Sequence, residues 1–316
     1  ITSVTWVESI RPALMPTQTA TSEGVESIQA DRLHNLNITG SGVKVGVLTL
    51  GVRPSSPEYA DQVAASNAFH AAGIEGEDPT HGTAVTEIVS DTAPDAELYL
   101  TSFDSIINYA DATSWLRENN VDVIVISAGW QSLPEGGNGY VTEVASNAAA
   151  DDIVYATAAG NAGQKHWEGK AADTDGDSWI EIHEDEETNA LGNGRRYAAG
   201  TEVRYTLSWE GPSTQPRDYT LYLLNDEGEV VAESQALGEF GLSLEVLQTT
   251  LPADGEYGFA IAGEESQQTL TVFGSDNTSP FEHYTTEGSL IAPATAEGVF
   301  AVGAYDVTTG RRTQYS

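Results

Sequence analysis

The rhythm of apolar and polar positions changes twice along this chain. From residue 43 to residue 163, short apolar runs alternate with stretches whose apolar members recur at helical spacing. Val43–Leu48, Glu97–Leu100, Val121–Ser127 and Ile153–Ala158 read as strands buried on both faces. Helices are predicted near His81–Ser90, Ile106–Asn119 and Gly139–Ala150, the second stopped by Asn119-Asn120. Such alternation predicts an α/β fold, a parallel sheet with helices on both faces.

After Asn161 the pattern changes: residues 164–178 are polar and acidic, and from Trp179 to about Phe273 the period becomes two. Val203–Trp209, Tyr219–Leu224, Tyr257–Ile261 and Thr269–Phe273 are strand candidates, separated by turns such as Asp226-Glu227-Gly228 and Pro252-Ala253-Asp254-Gly255. This predicts an antiparallel β-sandwich. At Ser289–Ala294 the first pattern resumes, and Gly298–Ala304 reads as another buried parallel strand, so the sandwich is expected to be inserted. The implied organisation is a lead-in over 1–40, a first α/β part over 41–170, the sandwich over 171–278 and a second, incomplete α/β part over 279–316. Within the lead-in, Val4–Glu8 is a strand candidate and Thr21–Leu36 a helical stretch.

Charge changes the picture more than overall composition does. The chain has 48 acidic and 13 basic residues, a formal net charge of −35, and its only lysines are Lys44, Lys165 and Lys170. The acids are spread along the whole length, as on a folded surface and unlike a disordered tail. Self-repulsion of this size opposes compaction, and molar salt screens it within about 3 Å. Salt adaptation is therefore expected, and nucleic acid is excluded as a partner because its phosphates carry the same sign. With no cysteine, neither a disulfide framework nor a thiolate metal site can form. No apolar run approaches the roughly 18 residues of a membrane span. The start at Ile1, with no basic-then-apolar leader, fits a processed or partial chain.

Candidate chemistry begins at Thr80-His81-Gly82-Thr83, where a histidine stands at the mouth of a predicted helix. That position presents an imidazole to solvent at a sheet edge, as a general base requires. Further on, Ala158-Ala159-Gly160-Asn161 ends a strand with an asparagine on a glycine turn. Asn161 alone could be a turn former, and His81 alone a helix-start histidine.

Together, the strand Val43–Leu48, the His-Gly-Thr helix and the Ala-Ala-Gly-Asn turn resemble, in order and spacing, the subtilisin-like serine peptidases. Glu87-Ile88-Val89-Ser90-Asp91 and Ala93–Leu98 resemble a bacterial and archaeal branch in which an inserted sandwich also occurs. The resemblance implies that His81 is the general base and Asn161 the oxyanion donor. It further implies that Ser127, Ala128 and Gly129 line the cleft where substrate pairs as an added strand. The substrate would be a protein or peptide, cleaved by an exported endopeptidase found outside the cell or at its surface. No cofactor or metal is implied at the catalytic residues.

Two positions depart from the family pattern. The triad aspartate is expected at Thr49 or Leu50, and neither can hold an imidazolium by charge. Glu58, Asp61 and Asp78 are nearby in sequence as substitutes. The nucleophilic serine, which comes last in the family's order of Asp, His, Ser, is expected beyond Ser316. Tyr315-Ser316 resembles the start of a segment preceding it. Loss of the aspartate alone lowers kcat in a subtilisin by about 3 × 10⁴-fold and leaves appreciable catalysis. A pseudopeptidase that binds peptides without cleaving them is the alternative, and an unrelated flavodoxin-like binding domain a more distant one.

Two further motifs stand apart from this chemistry. Asp173, Asp175 and Asp177 alternate, with Glu184 twelfth from Asp173, which is the spacing of a calcium-binding EF-hand loop. Ser178 replaces the usual glycine of that loop, and a solvated junction is the competing reading. His166-Trp167 reads as a packed surface pair.

Overall fold

The computed structural model describes residues 24–131, 139–192, 194–209, 219–236, 243–275 and 278–316. The strand expected at Val4–Glu8 lies outside them. The helical pattern of Thr21–Leu36 yields two short helices, α1 (Gly24–Ser27) and α2 (Ala30–His34). They are separated at Gln29, whose φ of 62° is left-handed, and Ile28 and Leu33 are exposed.

Strands β1 (Lys44–Thr49), β2 (Val63–Ala68), β3 (Glu97–Ser102), β4 (Val123–Ile126) and β5 (Val154–Ala158) are parallel and stand in the order β5-β4-β1-β3-β2. Helices α3 (Thr80–Thr92), α4 (Ile106–Glu118) and α5 (Tyr140–Ala150) cover them. Alternate side chains of each strand enter different cores. Val45, Val47, Leu98 and Leu100 pack with Val85 and Val89 of α3, whereas Leu48 and Tyr99 meet Leu116 of α4 and Val141 of α5. Both faces are therefore apolar, which is why these strands read as continuous runs. Ser105 begins α4 by accepting a hydrogen bond from the Asn108 N–H. A Cβ at Gly46 would lie 2.8 and 2.9 Å from the Leu116 methyls, so glycine lets α4 sit directly on β1.

β2 had no sequence signal. Its residues, Val-Ala-Ala-Ser-Asn-Ala, are small and partly polar because they form the sheet's edge, and its register slips between Val63 and Ala65.

The antiparallel region runs through β6 (His166–Lys170), β7 (Thr188–Ala190), β8 (Glu202–Trp209), β9 (Thr220–Asn225), β10 (Val230–Glu233), β11 (Gln235–Ala236), β12 (Leu244–Thr250), β13 (Tyr257–Ala262) and β14 (Thr269–Gly274). They form two sheets, β10-β9-β13-β7 and β11-β12-β8-β14-β6. Tyr205, Leu207, Leu221, Phe259 and Val272 belong to their common core. His166 and Trp167 were expected at the surface, but both are buried in this region. Burial is tolerated because the His166 Nδ1 bonds the Thr285 carbonyl at 2.6 Å and the Trp167 Nε1 donates to the Ile182 carbonyl at 3.1 Å.

The chain then returns as β15 (Phe300–Val302), which pairs in parallel with β5, so exit and re-entry use neighbouring strands. Its residues are exposed, not buried as expected, because β15 is the outer strand of the described sheet. A small hairpin, β16 (Tyr305–Asp306) with β17 (Arg311–Arg312), follows. Among the described residues, no helix is long and apolar enough to cross a membrane.

Candidate active site

β3 lies on one side of β1 and β4 on the other, making the β1–β4 boundary a topological switch point. In open α/β sheets, ligands bind beyond the carboxyl ends of the strands at such a point. His81 is the second residue of α3 and is exposed, while Gly82 after it is buried. A side chain on Gly82 would collide with the Gly51 carbonyl oxygen and the Thr49 side chain, so the absent Cβ lets α3 begin against the end of β1. The loop after β1 is clamped to the same turn: the Arg53 N–H donates to the Thr83 hydroxyl at 3.0 Å, and the Ser56 hydroxyl to Glu87 at 3.3 Å.

From this position the His81 Nε2 reaches the carbonyl oxygen of Ser127, just past β4, at 3.0 Å. Ala128 and Gly129 follow, and among the described residues neither takes part in a backbone–backbone hydrogen bond. At Trp130 the chain is tied again, to Ala292, by reciprocal bonds of 2.8 and 3.2 Å. Among the described residues, the N–H and C=O groups of Ala128 and Gly129 are thus left without backbone partners between two tied neighbours.

Asn161 follows β5 across Gly160, whose φ of 113° belongs to glycine's range. The Ala159 N–H donates to Val302 at 2.9 Å, anchoring the approach to that turn. His81, Ser127, Ala128, Gly129 and Asn161 all line one cleft of about 770 Å³. The sequence reasoning also missed several lining residues: Trp130 and Ile291, and, from the antiparallel region, Arg204, Thr206, Phe273 and Ser275. Nothing local marks these last four; the fold brings them to the cleft from far along the chain.

Among the described residues, the anion expected beside His81 is missing. Thr49 is buried, and its hydroxyl points to the Gly51 carbonyl at 3.4 Å. Asp78 is close enough to feel His81, but its carboxyl is held below the ordinary range chiefly by hydrogen bonds from the Thr80 side chain and backbone N–H. Among the described residues, no carboxylate hydrogen-bonds the His81 ring.

The acidic loop brings ligand oxygens of Asp173, Asp175 and Asp177 within 4.8 Å of one another, without Glu184. Asp173 and Asp177 are occupied with backbone N–H groups of the loop, from Gly176, Ser178 and Trp179. Oxygen ligands suit calcium, and turn capping alone accounts for this conformation equally.

No family model matches the chain. Subtilisin E of Bacillus subtilis (strain 168) is 32% identical over 158 residues, covering 44% of this chain and 40% of that protein. Subtilisin of Bacillus pumilus is 31% identical over 158 residues, 44% of this chain and 55% of that one. The chain thus spans 40% and 55% of the length of these two curated relatives. The solved structure of the Clostridium perfringens CspB protease matches with a TM-score of 0.61 at 14% identity, over 92% of this chain and 75% of that one. The chain is similar to subtilisins in sequence over 44% of its length, and its fold is a subtilisin-like α/β sheet accompanied by an extra β domain.

Proposed function

We propose that this chain carries the base and substrate cleft of an exported serine endopeptidase from a salt-adapted organism. His81 is the general base, Asn161 donates to the developing oxyanion, and the backbone groups of Ala128 and Gly129 pair with an extended substrate. The nucleophile is a serine of the full-length protein, in the Gly-Thr-Ser segment that the family resemblance implies. One observation carries the reading: five residues from three separate stretches, His81, Ser127 to Gly129 and Asn161, line a single cleft at the switch point of the sheet. In the reaction, the serine hydroxyl attacks the scissile carbonyl as Nε2 takes its proton. The tetrahedral oxyanion is held at Asn161, and the imidazolium returns the proton to the leaving amine.

The pseudopeptidase reading rests on Thr49. A buried threonine stands at the expected aspartate position, and no carboxylate in the described residues bonds the base. Hydrolysis of an unfolded protein substrate by the full-length protein decides between them. Peptidase activity abolished by His81→Ala supports catalysis. Peptide binding without cleavage, in a folded and unmodified protein, supports the binding module. Cleavage that survives His81→Ala identifies a different base.

A further inference from the structure

The antiparallel region brings together three side chains with no part in the cleft. His183 and Glu186 flank a two-residue turn that is closed by mutual backbone bonds, His183 N–H to the Glu186 carbonyl at 3.2 Å and Glu186 N–H to the His183 carbonyl at 2.8 Å. The residues form an isolated antiparallel bridge, so their side chains emerge together. His283, a hundred positions later in sequence, stacks on His183 with ring centroids 4.3 Å apart and planes 7° from parallel. Its Nε2 bonds Glu186 Oε2 at 2.7 Å. One ligating atom from each of the three lies within 4.8 Å of the other two.

His283 is held in place from beneath. Asn189, fully buried on β7, accepts from the His283 N–H at 3.0 Å and donates to the His283 carbonyl at 2.7 Å. Its amide is used to clasp the backbone that carries the imidazole. Asn189 lies three residues beyond Glu186, so one short segment positions both the carboxylate and the second histidine. Support of the ligand-bearing residue by a buried hydrogen-bonding neighbour is a feature of metal centres.

We propose that His183, Glu186 and His283 bind a divalent first-row transition cation of the zinc type. Two imidazoles and one carboxylate, with a fourth position open to solvent, match this class. Calcium and magnesium prefer shells of oxygen alone and are poorly served by this set. The hydrogen bond from His283 to Glu186 occupies the place the metal takes. On binding, the His283 ring adopts its Nδ1–H tautomer, and the Nε2 lone pair turns to the cation as Glu186 becomes a ligand. His183 and Glu186 are exposed, so the His183 ring is free to turn out of its stack with His283 and bring the donors to the roughly 2.0–2.2 Å of zinc coordination. The carboxylates of Glu184 and Asp185 on the turn favour a cation's approach.

The bound metal would join the 183–186 turn to the segment leading back to the cleft. The Thr285 N–H bonds the His166 carbonyl at 2.8 Å, and Ile291, six residues further on, lines the cleft wall. The role is that of a cross-link between this turn and the returning segment and is independent of whether the cleft is catalytic.

The test is equilibrium dialysis of the chelator-stripped chain against Zn2+, in potassium chloride with excess Mg2+ to occupy adventitious acidic sites. One Zn2+ per chain is expected to remain, with a thermal midpoint that rises with free Zn2+. His183→Gln, on an exposed turn where folding is undisturbed, should weaken binding by more than the roughly 10–100-fold that loss of a supporting neighbour causes. His283→Gln should do the same, whereas joint Asp173→Asn, Asp175→Asn and Asp177→Asn substitution should leave Zn2+ binding unchanged. Co2+ in place of Zn2+ should show visible ligand-field bands that disappear in His183→Gln. Retention of full Zn2+ affinity by His183→Gln, or displacement of Zn2+ by Mg2+, would overturn the proposal and leave His283–Glu186 a surface ion pair.

Discussion

The Nε2 of His81 lies 3.0 Å from the carbonyl oxygen of Ser127, joining the first turn of α3 to the end of β4 across the switch point. A carbonyl oxygen can only accept, so Nε2 carries the proton. A general base acting on serine needs the opposite tautomer, with Nδ1–H directed at an anion and the Nε2 lone pair free. Thr49, buried against Gly82, provides no such anion.

Thr49→Asp is therefore expected to shift the His81 tautomer toward Nδ1–H and to raise kcat in the full-length protein. The gain approaches the roughly 10⁴-fold value of a triad aspartate if no other group supports the ring. Imidazole nitrogen NMR and steady-state kinetics read the two effects separately. An unchanged tautomer would show that residue 49 does not govern the base.

Asn161→Ala should lower kcat by about 10²–10³-fold with little change in KM, as loss of one oxyanion donor does elsewhere. Equal losses in substrate binding and turnover would instead make Asn161 a binding contact.

Gly82→Ala should destabilise the domain and move His81 away from Ser127. The new methyl meets the Gly51 carbonyl and the Thr49 side chain, and overpacking of this kind costs about 1–3 kcal/mol. Denaturant unfolding measures the cost, and wild-type stability in the variant would refute the close approach.

His166 is buried, its Nε2 has no hydrogen-bond partner among the described residues, and burial depresses its pKa below the ordinary histidine value. The unfolded chain then binds the proton more readily than the folded one. Stability from this group is complete above about pH 6.5 and falls as pH drops from there toward the folded pKa. The non-titrating His166→Gln variant should show a shallower loss between neutral and mildly acidic pH than the wild type. Identical pH profiles in thermal unfolding would exclude His166 as the cause.

Stability should also climb with salt, because 48 acidic residues face 13 basic ones. Circular dichroism across a potassium chloride series should show the highest unfolding temperature at molar concentration. Full stability in dilute buffer, with no gain on adding salt, would contradict salt adaptation.

The sequence by itself determined the alternation of apolar runs and helical stretches between residues 43 and 163, and the period-two strands of the second region. Strands buried on two faces and strands of a sandwich differ in side-chain rhythm, and rhythm is local information. His81 and Asn161 were legible for the same reason, each standing at the end of an element beside a glycine that the geometry requires. β2 was not legible, since an edge strand buries too little to need apolar residues. His166-Trp167 misled because a polar setting in sequence became an interior in space, with one nitrogen of each ring bonded to a backbone carbonyl. Only the tertiary structure decided that Arg204, Phe273 and Ser275 reach the cleft, and that His283 stacks on His183. Those encounters depend on how strands far apart in the chain register against one another, and residue order carries no direct record of that pairing.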